Sequence, residues 1–228
     1  MNNSKSMSYF DTMPDRKLSL FERAKNYRNA GYVYRAEMWG QDEIWGTYAR
    51  GYLSAAEELI KSVLEGRLTT DTFGYPIFYL FSHYLELKFK EIMVIGRPLL
   101  GDGKGFSTGH NLFQLWGECK KIFKVVYNWK EYSDLDDEGR EIFLTIEHFI
   151  KELSQDPLGQ TFRYPVDKNG KPLLKDSIVV FNIENLALVI NWLPQALDAL
   201  CGPMYDMIRL MYEYHAEQRA EYREDYWG

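Results

Sequence analysis

The chain has 228 residues, with 27 Lys and Arg against 33 Asp and Glu, a formal charge of −6 and 46% hydrophobic residues, the profile of an ordinary globular domain. Its longest stretch free of Asp, Glu, Lys and Arg runs from Thr72 to Leu85, fourteen residues with a proline inside, short of the roughly 18 that a membrane-spanning helix needs. Cys119 and Cys201 are too far apart to suggest a disulfide framework or a zinc knuckle, and Met1 to Tyr9 lacks an apolar signal core, so a cytoplasmic protein with free thiols is expected.

Residues 1–17 read as a polar N-terminal arm and 18–228 as a single domain. Leu18, Leu20, Phe21, Ala24 and Tyr27 recur at roughly helical spacing. Gln41 to Gly66 follows as a long amphipathic helix, with Ile44, Tyr48, Tyr52, Ala55, Leu59 and Val63 stepping by three or four. Pro76 to Ile95 is the most apolar helix: Phe81, Leu85, Phe89 and Ile92 line one side, and Leu80, Tyr84, Leu87 and Val94 widen it, which predicts a central position. Gly96 to Gly109 is a glycine-rich loop whose Ser107 or Thr108 is placed to cap a helix from about His110 to Val126. Asp136, Asp137 and Glu138 open the next helix, to Leu153, with the charge sign favoured at a helix start. Thr161 to Val166 and Ser177 to Phe181 have strand character around the Asn169-Gly170 turn signal, giving a small irregular hairpin over about 161–181. Ile183 to Leu200 and Pro203 to about Glu221 read as two closing helices split at Gly202-Pro203. The expected fold is therefore mainly α, a helical bundle with one β-hairpin inserted before the last two helices.

Few segments offer recognisable chemistry. The loop from Gly96 to Gly105 lacks the glycine spacing and the Lys-Ser/Thr pair of a phosphate-binding loop, and it follows a helix rather than a strand. On the central helix, Tyr79, His83, Glu86 and Lys90 fall within an arc of roughly 60°, so they form a polar stripe on an apolar element. His83, Glu86 and Lys90, with His110 at the next helix start and Arg163 and Tyr164 later in the chain, are the candidate residues for a polar centre or binding site. The alternative is a structural Glu86–Lys90 pair at i,i+4 on a solvated face. His83 and Glu86 offer two metal ligands at i,i+3, but no second Glu-x-x-His pair exists to complete a di-metal bundle, so neither a metal nor another cofactor is expected.

Two stretches carry a family likeness. His83-Tyr84-Leu85-Glu86-Leu87-Lys88-Phe89-Lys90 and Gly109-His110-Asn111-Leu112-Phe113-Gln114-Leu115-Trp116 resemble the HEPN superfamily of small α-helical prokaryotic domains. There a helix with an E-L-x-x-K core is followed by a G-H-D/N-L-x-x-L helix start. Phe162-Arg163-Tyr164-Pro165-Val166-Asp167-Lys168-Asn169-Gly170 is similar to a segment carried by an uncharacterised branch of such proteins.

The resemblance implies two kinds of function, both set in toxin–antitoxin or antiphage defence systems. Some HEPN proteins are metal-independent ribonucleases with an Arg-x4–6-His motif at a composite dimer site. Others lack it and serve as binding or assembly modules. Arg209 and His215 are the one such match in this chain, and they become the candidate catalytic pair. Leu210 stands where the family motif usually has a polar residue, and six steps along an unbroken helix separate Arg209 from His215 by about 120°. A shared cleft therefore requires a bend or a helix start at Arg209.

The expected role is a non-catalytic interaction module working as a homodimer or beside a partner protein, with the ribonuclease as the alternative. The 17 Tyr and 6 Trp suit interfaces, since each offers apolar area with a polar tip. RNA stays among the candidate partners despite the net charge. Lys88 to Lys124 carries +4 and Arg163 to Lys175 carries +3, whereas Glu131 to Asp156 carries −7.

Overall fold

The computed structural model describes residues 41–101, 105–154, 162–173 and 180–227. The expected arm at 1–17 and the helical pattern at 18–27 lie outside the described residues. Five α-helices are present among those described: α1 (Gln41–Leu64), α2 (Thr70–Gly96), α3 (Leu112–Val126), α4 (Asp137–Leu153) and α5 (Ile183–Trp227). None of them is long and apolar enough to cross a membrane.

Helix α2 is the axis of the bundle, and α1, α3 and α5 all pack on it. Its Ile77, Phe81, Leu85, Phe89, Ile92 and Met93 are fully buried. It begins a turn and a half before Pro76, earlier than expected, because a proline near a helix start sacrifices only one backbone hydrogen bond. Gly74 within that early turn leaves room for the Phe181 ring, whose Cζ lies 2.5 Å from where a Cβ would stand. Helix α1 meets α2 along Gly46, Ala49, Ala56, Ile60 and Val63. That line is rotated from the expected stripe, and Tyr48 and Ala55 face out. Small side chains set the contact because they let the two helix axes approach closely.

The remaining helices start where side chains can take up free backbone N–H groups. The cap of α3 is Asn111, not Ser107 or Thr108: its Oδ1 accepts from Gln114 N at 2.9 Å. Asp136 Oδ1 accepts from Gly139 N at 2.7 Å at the start of α4. Asn182 Oδ1 does the same for Glu184 N and Asn185 N before α5. Trp116 of α3 is fully buried, with ring centroids 5.7 Å from Phe89 and 6.0 Å from Phe143, so one aromatic cluster joins α2, α3 and α4.

Two expectations change. Helix α5 runs unbroken through Pro194 and Pro203, where a split at Gly202-Pro203 was expected. Each proline costs a backbone bond, yet Leu200, Cys201 and Met204 on both sides of Pro203 are buried in one core, and that packing holds the halves in line. The hairpin is not formed as strands among the described residues. One antiparallel bridge joins Val166 to Pro172 around a turn in which Asp167 Oδ1 accepts from Asn169 N and Lys171 N and Gly170 adopts φ +78°. Pro165 and Pro172 lack the N–H groups that a longer ladder needs, and most of the second expected strand, Ser177 to Phe181, lies outside the described residues.

Close packing at Gly96 gives a test. A Cβ there meets Ile122 Cγ2 at 2.5 Å and Met204 Sδ at 2.9 Å, whereas Gly51 on the open side of α1 has nothing within 4 Å. Gly96→Ala is expected to lower stability by about 1–3 kcal/mol through overpacking, and Gly51→Ala to raise it by about 0.5–1 kcal/mol through helix propensity. Urea denaturation of both variants reads the difference.

Candidate functional site

The polar stripe of α2 is organised by one carboxylate. Glu86 Oε1 accepts from Lys90 Nζ at 2.7 Å and is hydrogen-bonded to His110 Nδ1 at 2.9 Å, while Oε2 lies 3.9 Å from His83 Nδ1. Lys90 is buried, and its ammonium also lies 5.7 Å from the centroid of the Phe106 ring, which in turn meets Trp45 of α1 at 4.6 Å. His110 enters from the loop before α3 and stays largely open to solvent.

Further along α2, the His83 ring is packed edge-on by Tyr52 of α1 at 4.4 Å and stacks on Tyr79 at 5.8 Å. Phe162 stacks on Phe78 at 4.8 Å, which docks the turn over 162–173 onto α2 and brings Arg163 into place. The Arg163 guanidinium sits 5.4 Å from the ring centroids of both Tyr79 and Tyr164. Burial pushes the His83 imidazole below its usual pKa, and the positive charges of Arg163, Lys90 and His110 add to that against the opposing pull of Glu86. His83 is therefore neutral at pH 7, with one nitrogen free to accept and one to donate.

His83, Glu86, Lys90, His110, Arg163 and Tyr164 thus lie along one side of α2, as three sequence-distant segments converge there. Near Phe106 the site borders an open groove of about 600 Å³ lined by Arg97, Ser107, Thr108, Gln114 and Glu118. Among the described residues no group of three or more His, Cys, Asp or Glu is arranged to hold a metal ion. Neither thiol is activated. Burial raises Cys119 well above its usual range and pushes Cys201 up to about 12, so both are protonated at neutral pH.

Arg209 and His215 lie elsewhere, both exposed on the outer part of α5. Arg209 Nη2 is 3.1 Å from Asp206 Oδ1 and its Nε is 4.0 Å from Glu213 Oε1, so its partners are acidic neighbours on its own helix. The helix has no break or start at Arg209, and the two side chains leave it about 120° apart. Within one chain they do not meet.

Two polar networks escaped the sequence reading. Buried Lys88 places Nζ 2.8 Å from Asp198 Oδ1 of α5 and 3.1 Å from Glu91 Oε2. The Glu91 contact lies outside hydrogen-bond geometry and is one of charge alone. Burial works against the Lys88 charge, but Glu91 and Asp198 outweigh it and hold the ammonium above its usual pKa. The second network ties α3 to α4. Glu147 Oε2 accepts from Lys120 Nζ and Tyr132 Oη, each at 2.6 Å, and Oε1 lies 3.3 Å from Lys151 Nζ. Burial raises the Glu147 pKa, but these three donors win and bring it down to about 2. The available signal for the first network was a Lys-x-x-Glu pair inside the most apolar helix; its partner Asp198 had none.

Comparison of the chain with protein-family models, with curated proteins and with solved structures returned no match in any of the three.

Two substitutions test these networks. Glu86→Ala leaves the buried Lys90 ammonium without its carboxylate and is expected to cost about 3–5 kcal/mol in urea denaturation, with Glu86→Gln costing less. Because the folded-state pKa of Glu147 is depressed, its contribution is present above about pH 4.5 and is lost as pH falls toward 2. Glu147→Gln is expected to lower stability by about 1–2 kcal/mol at pH 7, after allowance for solvent screening, and to flatten the acid limb of the stability–pH curve.

Proposed function

We propose that this chain is a HEPN-like interaction module of a prokaryotic defence or toxin–antitoxin type system, acting non-catalytically through self-association along α5. The observation that carries the reading is the behaviour of that helix past the core. Its inward face is buried through Met204 and Ile208 and half-buried at Met211, and from Tyr212 to Ala220 every side chain is exposed. The helix continues to Trp227, and the 12 positions from Arg209 to Ala220, roughly 18 Å at 1.5 Å per residue, lie beyond the last buried one among those whose burial is described. Leu210, Tyr212 and Tyr214 on this arm are 58%, 47% and 59% exposed. Aromatic and aliphatic side chains on a projecting helix gain most by burial against a second surface, and a second copy presents the same arm.

The ribonuclease is the alternative, supported by the same segment. Arg209 and His215 both sit on the arm, so pairing of two copies along it would bring Arg209 of one toward His215 of the other. In that arrangement Arg209 would stabilise charge on a scissile phosphate and His215 would act as general acid or base.

Light scattering on the purified protein is expected to give a dimer, and Tyr212→Glu with Tyr214→Glu a folded monomer with an unchanged circular dichroism spectrum. A strict monomer in the unaltered protein overturns the proposal. RNA cleavage, or growth arrest on expression, that disappears in His215→Ala replaces the module with the ribonuclease.

A further inference from the structure

Helix α5 keeps one face uncovered where it passes the core. At 100° per residue, Glu184, Leu188, Trp192 and Gln195 leave it within an arc of about 80°, and all four are exposed. Leu188 is 68% exposed, although Leu186, Ile190 and Leu193 around it are buried. Trp192 follows one turn later at 36%, and its ring centroid lies 6.4 Å from that of half-buried Phe149 on α4. Leu188, Trp192 and Phe149 thus make an apolar strip across the boundary between α4 and α5.

The charges beside the strip are of one sign. From Ile183 to Ile208, α5 has Glu184, Asp198 and Asp206 but no Lys or Arg. Glu184 stands one turn before Leu188, and exposed Glu152 stands one turn after Phe149. Glu138 and Glu141 are also exposed and leave α4 within about 60° of Glu152. The cations of α4 are engaged elsewhere. Lys151 Nζ lies 3.3 Å from Glu147 Oε1 and 5.5 Å from the centroid of the Phe113 ring on α3, and Arg140 pairs with Asp137.

We infer that the α4–α5 strip is a docking site for a basic amphipathic helix of a partner protein. Leu188 and Trp192 seat apolar side chains spaced i,i+4 on that helix, and Glu152 and Glu184 meet Lys or Arg on its flanks. Trp192 is the anchor, because burying an exposed indole removes the most apolar area from water. A second copy pairing through the same strip sets acidic side chain against acidic side chain, which disfavours it. Nucleic acid meets the same repulsion. The strip shares no residue with Leu210, Tyr212 and Tyr214 of the arm, so it stands or falls apart from self-association.

The test is fluorescence anisotropy of labelled peptides titrated with the full chain. The probes are an amphipathic helix of Leu and Lys, its counterpart of Leu and Glu, and a Ser and Lys peptide of equal charge. The Leu–Lys helix is expected to bind at least about tenfold more tightly than either of the others. Leu188→Gln with Trp192→Gln, and Glu152→Lys with Glu184→Gln, are each expected to weaken it by about tenfold or more with circular dichroism unchanged. Leu144→Gln, exposed on the Lys151 side of α4, leaves binding as it was. Absence of binding by the Leu–Lys helix overturns the site, as does unchanged affinity in Leu188→Gln with Trp192→Gln. Equal affinity for either of the other peptides overturns the basic amphipathic assignment. A loss of self-association in Leu188→Gln with Trp192→Gln, read by light scattering, makes the occupant a second copy and overturns the partner.

Discussion

From Tyr84 to Gly96, every residue of α2 except Glu86 is buried, and that stretch still contains two lysines and two glutamates. Bringing charges out of water is costly unless each finds a partner and the remaining donors and acceptors are met. Helix α2 meets this constraint twice. Glu86 and Lys90 close an i,i+4 pair on one side, completed by His110 from the loop before α3. Lys88 and Glu91 close an i,i+3 pair, completed by Asp198 from α5. At 100° per residue the two pairs lie about 150° apart around the helix, so α2 carries a polar seam on two nearly opposite sides. Apolar faces alone leave neighbouring helices free to slide by a turn. Each seam removes that freedom, because Asp198 and His110 reach their partners in one register only.

The periodicity of apolar residues made α1 to α4 legible, with ends within a few residues except where α2 starts before Pro76. Local rules also put the acidic run Asp136 to Glu138 at the start of α4, where Asp136 is the cap, its partner N–H only three residues away. They failed where the deciding neighbour was distant in sequence. Pro203 reads as a helix break until Cys201 and Met204 are seen buried on one core. Tyr48 reads as a core residue until Gly46, Ala49 and Ala56 are seen to bring α1 against α2. The strand character of Thr161 to Val166 was real in composition, but Pro165 and Pro172 leave a single bridge between Val166 and Pro172.

The candidate site shows the same division. The Tyr79, His83, Glu86 and Lys90 stripe follows from helical geometry and needs no tertiary knowledge. His110 and Arg163 became members through loops, one ending at the Asn111 cap and one pinned by Phe162 on Phe78. Lys88 and Asp198, a closer pairing than several of these, lay hidden because nothing in the sequence marks Asp198 as facing inward; its own side chain is largely exposed and only the ammonium it meets is buried.

The continuity of α5 connects the seams to the arm. Asp198 grips Lys88, and Cys201, Met204 and Ile208 sink into the core on the next turns, so the helix is clamped along its inner part. A helix held there and unbroken through Pro203 carries its outer part in a direction fixed by α2. Arg209 and His215 both lie beyond Pro203 on one unbroken helix, so the separation of about 120° between them is set by the helix itself. In the proposed self-association, this outer part of α5 supplies the surface that meets a second copy. The same clamp makes that surface well defined, because a rigid arm presents Leu210, Tyr212 and Tyr214 in one constant arrangement.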